Sequence, residues 1–482
     1  MPLIGYSHRP VALGRRGMVA SAHSYATVAG LDVLRAGGTA ADAAVAVNAV
    51  LGVTQPENCG VGGDIFCLYY EAATGRVHFL NGAGRSGSRA SLEELRRRGM
   101  DRLPVTGPAT VSVPGCVRGW AMLLERFGTR PLGELLVQAD LGRTLTDLAA
   151  EGPDLFYRGR VGQAIARRME ADGFITADDL AQHTGEWGEP ISTSYRGTTI
   201  YETPPPTQGL VALLGLNILE GLAVVDNSPH SIEHLHMLVE VAKIAYADRD
   251  RWIGDPAHAK VPVAGLLSKA YAARRRNDFD PSKAQSHAFG DPDGDTTGFV
   301  VADERGNVIS VIQSLFNAFG SGIVAPGTGV VLQNRGRHFM MDPSHPAALA
   351  PGKRPFHTLM ACIATRDDRP VLAFATMGGN GQAMFHLQVL TNLFDYGMDI
   401  QEAIERPRFL MGAFLPGDSD DVTHIESRVS ADVLAGLVAR GHRVKAAPEL
   451  FWRCGHAHGI VLRNGTLMGG ADPRGDGIAL GY

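Results

Sequence analysis

Several protein classes are excluded by what the chain has little of. Cysteine is scarce, five among 482 residues (Cys59, Cys67, Cys116, Cys362 and Cys454), odd in number and without a C-x-x-C pair, so no disulfide framework is expected. Neither sign of charge dominates: 45 Lys and Arg against 50 Asp and Glu leave a formal net charge of −5. A phosphate backbone finds no electrostatic footprint, and no nucleic-acid partner is expected. The N-terminal stretch MPLIGYSHRPVALGRRG holds basic residues but lacks the apolar core of a secretory signal. The longest uncharged stretch, 307–334, exceeds a membrane span in length, yet it strings together Gly320, Gly322, Pro326, Gly327 and Gly329 with Gln313, Ser314 and Asn317. No lipid-exposed helix tolerates that series. A cytoplasmic protein without a membrane part is the expectation.

What is present is a folded chain. Hydrophobic residues make up 45% and charged residues 20%, the proportions of globular proteins. Helical spacing of apolar residues covers 22–35, and T-A-A-D then sets Thr39 as N-cap with Asp42 at N3, a carboxylate capping box opening a helix over 40–53. Runs rich in β-formers at 64–71 and 76–81 flank Thr74-Gly75, predicting a hairpin. Further helices are expected over 92–98, 132–150, 160–172, 210–219, 231–251 and 382–393, and a strand over 459–462. Residues 265–295 turn charged and then nearly free of apolar side chains, the pattern of an exposed, mobile segment. A second hairpin, 296–302 and 308–315, is apolar on both faces, as strands in the middle of a sandwich are. Helix pairs, buried strands and more helices predict a layered α/β or α+β domain.

Metal motifs are sparse. His230, Glu233 and His234 spell H-x-x-E-H within a predicted helix, the inverted zincin spacing, but no third ligand pattern accompanies them. Cys454, His456 and His458 alternate on a short predicted strand, where core and surface account for them as readily as a metal does. D-P-D-G-D at 291–295 begins like a calcium loop, yet Thr296 and Ala302 stand where that loop requires Gly and Glu. No metal and no cofactor is expected.

The remaining candidate is Asp295-Thr296-Thr297, hydroxyls between a polar loop and a buried strand, with Ser314 in cross-strand reach of Thr296. Met377-Gly378-Gly379-Asn380 ends a strand and leads into a helix, where glycines free backbone N–H groups to face an anion. A hydroxyl nucleophile, a second hydroxyl and an anion-friendly backbone are the parts of acyl transfer.

Nine stretches in order, among them MVASAHSYATVAGLDVLRAGGTAADAAVAVN, GVGGD, TPPPTQGLVALLGLNILEG, ADRDRWIGDP, DTTGFVVADERGNVISV, APGKRP and TMGGNGQ, resemble the γ-glutamyltransferase family of N-terminal nucleophile hydrolases. The resemblance implies an α+β fold, a four-layer αββα sandwich, made as a precursor that cuts itself between Asp295 and Thr296 into pieces 1–295 and 296–482 that stay associated. It also implies Thr296 as nucleophile, Ser314 in place of the family's second threonine, and Gly378 and Gly379 as oxyanion donors toward a small amide substrate. Residues that the family uses to hold the substrate's amino-acid end are replaced here: Phe316 for an Asn, Arg335 for a Gln, His338 for an Asp, His357 and Thr358 for paired serines, and Ala83 for an Arg, with Arg85 two positions on. Losing an acidic partner while gaining Arg335 and His338 disfavours an α-ammonium and favours an anionic acyl group. Three readings follow: a γ-glutamyl or related amide hydrolase and acyltransferase, an acylase of the glutaryl or cephalosporin type or small-amide hydrolase without γ-glutamyl specificity, or a catalytically inactive scaffold.

Overall fold

The computed structural model describes residues 9–132, 141–285, 295–413 and 418–482, with Leu141, Gly142 and Asp295 described by backbone only. Its centre is a pair of seven-stranded sheets, antiparallel throughout. One runs Ile478–Gly481, Met18–Ser21, Asp295–Ala302, Val308–Phe316, Asp64–Glu71, Arg76–Asn81, Glu186–Gly188. The other runs Ala12–Gly14, Thr466–Ala471, Ala457–Arg463, Arg369–Thr376, Ala361–Arg366, Thr198–Glu202, Ile191–Tyr195.

Three apolar layers follow from side chains alternating across these strands. Phe66, Leu68, Val300, Ile312, Ile363 and Ala373 fill the space between the sheets. Phe299, Val301 and Val311 of the first sheet point the other way, onto Val45, Val47 and Trp120 of helices Ala40–Thr54 and Cys116–Phe127. Phe374 and Cys362 of the second sheet meet Leu213, Val241 and Leu387 of helices Gly209–Leu219, Ile232–Trp252 and Gln382–Phe394. The fold is the expected αββα sandwich, and Val308–Phe316 is buried along its whole length.

Local signals held where they were strong. The Thr39–Asp42 capping box is present at the start of Ala40–Thr54, and the 64–71 and 76–81 runs pair from Phe66 opposite Asn81 to Glu71 opposite Arg76. The helix expected over 132–150 is Leu141–Glu151, and 133–140 lie outside the described residues. The expectation for 265–295 needs correction in its first part. Helices Val263–Leu266 and Lys269–Arg276 are docked, because Arg275 donates to Asp248 at 3.0 Å and Arg276 to the Ile218 carbonyl at 3.0 Å while Ala272 is buried. Charge in that segment is spent on pairing. The calcium-like residues 291–294 lie outside the described residues. No helix among the described residues is long and apolar enough to cross a membrane.

Candidate active site

The site forms where the first residues of Asp295–Ala302 pass over the end of Arg369–Thr376 in the facing sheet. A Cβ placed on Gly298 would stand 3.0 Å from the Ala375 Cβ and 3.4 Å from the Thr376 nitrogen. Thr296 sits on an irregularity: Asp295 pairs with Phe316 and Thr297 with Gln313. Ser314 and Leu315 therefore oppose the single residue Thr296, a bulge that turns its side chain out of the regular ladder. The Thr296 hydroxyl lies 3.3 Å from the Ser314 Oγ, and both residues are buried. Ser314 Oγ in turn accepts the Phe316 N–H at 2.7 Å, holding Phe316 at φ 80°, a conformation that costs a bulky residue about 1–3 kcal/mol. Gly63 of the GVGGD stretch allows this approach, since a Cβ there would collide with the Ser314 carbonyl.

Beyond the end of strand Arg369–Thr376, Gly378 (φ 129°) and Gly379 (φ 51°) form the turn into helix Gln382–Phe394. Among the described residues the N–H of neither makes a hydrogen bond. The turn is held from outside. Gln208 Nε2 donates both to the Gly379 carbonyl (3.1 Å) and to the Thr358 carbonyl (2.7 Å), the Tyr246 hydroxyl donates to the Asn380 carbonyl, and Arg249 Nη1 donates to Asn380 Oδ1 at 2.9 Å.

Arg335 closes the circuit. It is fully buried, its guanidinium lies 4.4 Å from the Phe316 ring centre, and its Nη1 donates to Thr358 Oγ1 at 3.1 Å, while Nε and Nη2 have no hydrogen-bond partner among the described residues. Burial pushes its pKa below the ordinary range, with Asp64 pulling the other way, and an arginine starts high enough to stay charged. Asp64, also buried, is pushed up to about 7 by burial, opposed by the Gly84 N–H and by Arg335 and Arg354. Its Oδ1 accepts from Gly84 at 3.1 Å, and its Oδ2, without a hydrogen bond, lies 3.9 Å from His357 Nε2. His357 is fully buried with neither ring nitrogen bonded. The His338 ring centre lies 4.1 Å from that of Phe316 with the planes tilted by 56°, and its Nδ1 meets the Phe356 carbonyl at 3.0 Å, so Nδ1 is the donor. Burial, then the charge of Arg335, pushes both imidazoles well below their ordinary pKa. They are neutral at neutral pH, and the cation of this wall is Arg335 alone of the three.

Thr296, Ser314, Phe316, Arg335, His338, His357, Thr358, Gly378 and Gly379 thus form one connected group. Arg85 is turned to other work: it donates to Glu186 at 2.8 Å and to the Gly352 carbonyl at 3.2 Å, with Asp255 at 3.6 Å. The Ala83 carbonyl accepts from a different arginine, Arg354. Asp64 and Gln208 carried no assignment from sequence. Their only signal was their place inside GVGGD and TPPPTQG, since the contacts that define them are tertiary.

The sequence-derived metal candidates do not assemble. His230 (φ 62°) precedes the helix, whose N-cap is Ser231, so no i, i+4 helical face joins it to His234. His234 Nδ1 accepts the His230 N–H at 3.1 Å, and Glu233 pairs with Arg440 at 2.8 Å. Cys454, His456 and His458 do not converge with a further ligand among the described residues.

The family model described as gamma-glutamyltranspeptidase matches residues 26–139 and 130–482. The chain is 35% identical to the glutathione hydrolase-like YwrD proenzyme of Bacillus subtilis, over 97% of this chain and 99% of that protein. It is 34% identical to the oxamate amidohydrolase proenzyme of Klebsiella pneumoniae, over 97% and 98%. The crystal structure of cephalosporin acylase from Bacillus halodurans superposes with a TM-score of 0.91 at 32% identity, over 100% of this chain and 98% of that one. With a matching family model across most of its length and relatives aligned end to end, the chain belongs to the gamma-glutamyltranspeptidase family.

Proposed function

We propose that the chain is an amide-bond hydrolase that matures by cutting itself between Asp295 and Thr296 and then uses Thr296 as nucleophile on amides of small dicarboxylic acids. In the uncut chain the Thr296 nitrogen belongs to a peptide bond. Attack of its Oγ on the Asp295 carbonyl carbon expels that nitrogen as an amine and leaves an ester. Water cleaves the ester, giving Asp295 a carboxylate and Thr296 a free α-amine. Such an amine titrates near about 7.7–8.0, so near neutral pH part of it is unprotonated and takes the hydroxyl proton during attack on substrate. The leaving amine departs with that proton, and water or another amine then releases the acyl group. The free N–H groups of Gly378 and Gly379 suit the oxyanion of each tetrahedral intermediate, and Ser314 orients the nucleophile.

The observation that carries the substrate reading is Arg335: a buried guanidinium with two unpartnered nitrogens, joined to Thr296 through Phe316 and Ser314. A carboxylate on the acyl chain supplies what those nitrogens lack. The relative named for oxamate, an amide with a carboxylate on its acyl carbon, fits the same reading. The test compares hydrolysis of oxalyl, succinyl and glutaryl anilides with γ-glutamyl anilide. Preference for the carboxylate-bearing acyl groups is expected, and activity confined to γ-glutamyl anilide overturns the substrate reading. Thr296→Ala is expected to leave one uncut, inactive chain, and a cut or active variant overturns the nucleophile assignment.

A further inference from the structure

Behind the catalytic turn lies a second cluster that this chemistry does not use. Glu202 ends strand Thr198–Glu202, Cys362 is its cross-strand partner on Ala361–Arg366, and His386 projects from helix Gln382–Phe394. All three are fully buried, and one ligand atom from each falls within 4.8 Å of the others. Glu202 Oε1 accepts from His386 Nδ1 at 2.8 Å, while Glu202 Oε2 and His386 Nε2 have no hydrogen-bond partner among the described residues.

The charge balance of this cluster is unusual. A carboxyl group taken wholly out of water needs a cation, several donors or a proton of its own, and among the described residues the ion-pair partner of Glu202 is this imidazole alone, with the Cys362 thiol beside it. A comparable buried group, His236, Glu240 and His442, is already balanced, because Lys243 Nζ donates to Glu240 at 2.7 Å. Among the described residues no lysine or arginine does this for Glu202.

We propose that Glu202, Cys362 and His386 bind a zinc-class divalent cation. One sulfur, one carboxylate oxygen and one imidazole nitrogen make a zinc donor set. A dication set against one carboxylate and one thiolate leaves no net charge in the core. On binding, the Cys362 S–H bond is exchanged for a sulfur–metal bond and its proton leaves to solvent. The imidazole binds through one nitrogen and carries its single proton on the other, so binding through Nδ1 moves to Nε2 the proton now given to Glu202 Oε1, and a fourth position is left to water. Each ligand lies on an element that runs into a wall of the catalytic group: Glu202 leads to Gln208, Cys362 follows Thr358, and the helix of His386 begins at the Gly378–Gly379 turn. A bound ion fastens these three walls together from behind.

The test uses the full chain, purified, stripped with chelator and titrated with Zn2+, or with Co2+ as a coloured substitute. Expected are one tightly held equivalent of Zn2+ per chain by elemental analysis, a higher melting temperature with the ion than without it, and a thiolate-to-cobalt charge-transfer band in the near ultraviolet. Cys362→Ala is expected to lose that band and the bound equivalent, while Cys454→Ala keeps both. Absence of a stoichiometric ion and of the cobalt band in the unaltered chain overturns the proposal, whatever the variants do. So does an unchanged band in Cys362→Ala. None of these readings depends on turnover, so they stand apart from the assignment of Thr296.

Discussion

Arg335, proposed above to hold the acyl carboxylate, is a residue poor for stability. Its guanidinium is buried with two of its nitrogens unpartnered, and a buried cation in that state costs folding free energy. Arg335→Met is therefore expected to leave the melting temperature unchanged or raised while KM for a carboxylate-bearing acyl amide rises by about 10- to 100-fold, the loss of one charge-assisted interaction of roughly 1.5–3 kcal/mol. Steady-state kinetics beside a melting curve checks both halves. Asp64 adds a pH dependence. Burial raises its pKa to about 7, so the folded chain holds a proton that the unfolded chain releases near about 3.9. Its contribution to stability is complete below the unfolded value and is lost as pH rises toward about 7. Asp64→Asn cannot ionise, so its melting temperature relative to the parent is expected to rise between about pH 4 and pH 7. In the parent, KM for an anionic acyl group is expected to rise above about pH 7, where ionised Asp64 competes for Arg335. A flat difference across that range refutes the assignment. Arg335 is a candidate already from its place in the family resemblance, but the part of Asp64 is not readable from local sequence: Asp64 stands in GVGGD with nothing to announce that Arg335, far along the chain, shares its surroundings.

At the level of elements, the turn at Gly378 and Gly379 is where backbone shape and the proposed chemistry coincide. Gly378 has φ 129°, and a Cβ on it would stand 2.5 Å from the Phe385 ring and 3.3 Å from the Gly455 Cα, so Gly378→Ala must move the turn. Loss of about 100- to 1,000-fold in kcat is expected, the usual effect of losing one oxyanion donor, with a smaller change in KM. Gln208→Ala removes the shared donor to the Thr358 and Gly379 carbonyls and is expected to lower kcat by about 10-fold while the chain stays folded. Single-turnover rates separate this from an effect on product release. Elements with strong local signals were legible: the capping box at Thr39, the two buried hairpins and the helix after the glycine turn. Signals that depend on partners were not. The H-x-x-E-H spacing reads as helical until Ser231 is seen to cap the helix after His230, and residues 269–276 read as solvated until Arg275 and Arg276 are seen docked on Asp248 and the Ile218 carbonyl.

Over the whole molecule, the proposed cut falls inside a fold that neither piece can build alone. In the first sheet, Met18–Ser21 lies between Ile478–Gly481 and Asp295–Ala302, so a strand from before the cut is paired on both sides with strands from after it. Val308–Phe316 then pairs with Asp64–Glu71 across a second such boundary. In the second sheet, Ala361–Arg366 pairs with Thr198–Glu202, and Ala12–Gly14 with Thr466–Ala471. The core between the sheets mixes Phe66 and Leu68 with Val300, Ile312 and Ile363. Separating the pieces would break these five strand pairings, two of them at sheet edges, and open every apolar layer, which is unfolding rather than dissociation. Cleavage is therefore expected to produce two bands on a denaturing gel but one species in size-exclusion chromatography, at unchanged elution volume. Urea melts followed by circular dichroism and by elution volume are expected to coincide, since loss of secondary structure and parting of the pieces are one event. Pieces that part at a urea concentration where the sheets persist would show that the strand interleaving does not hold them, and with it would fall the account of how Thr296 gains a free amine without the site coming apart.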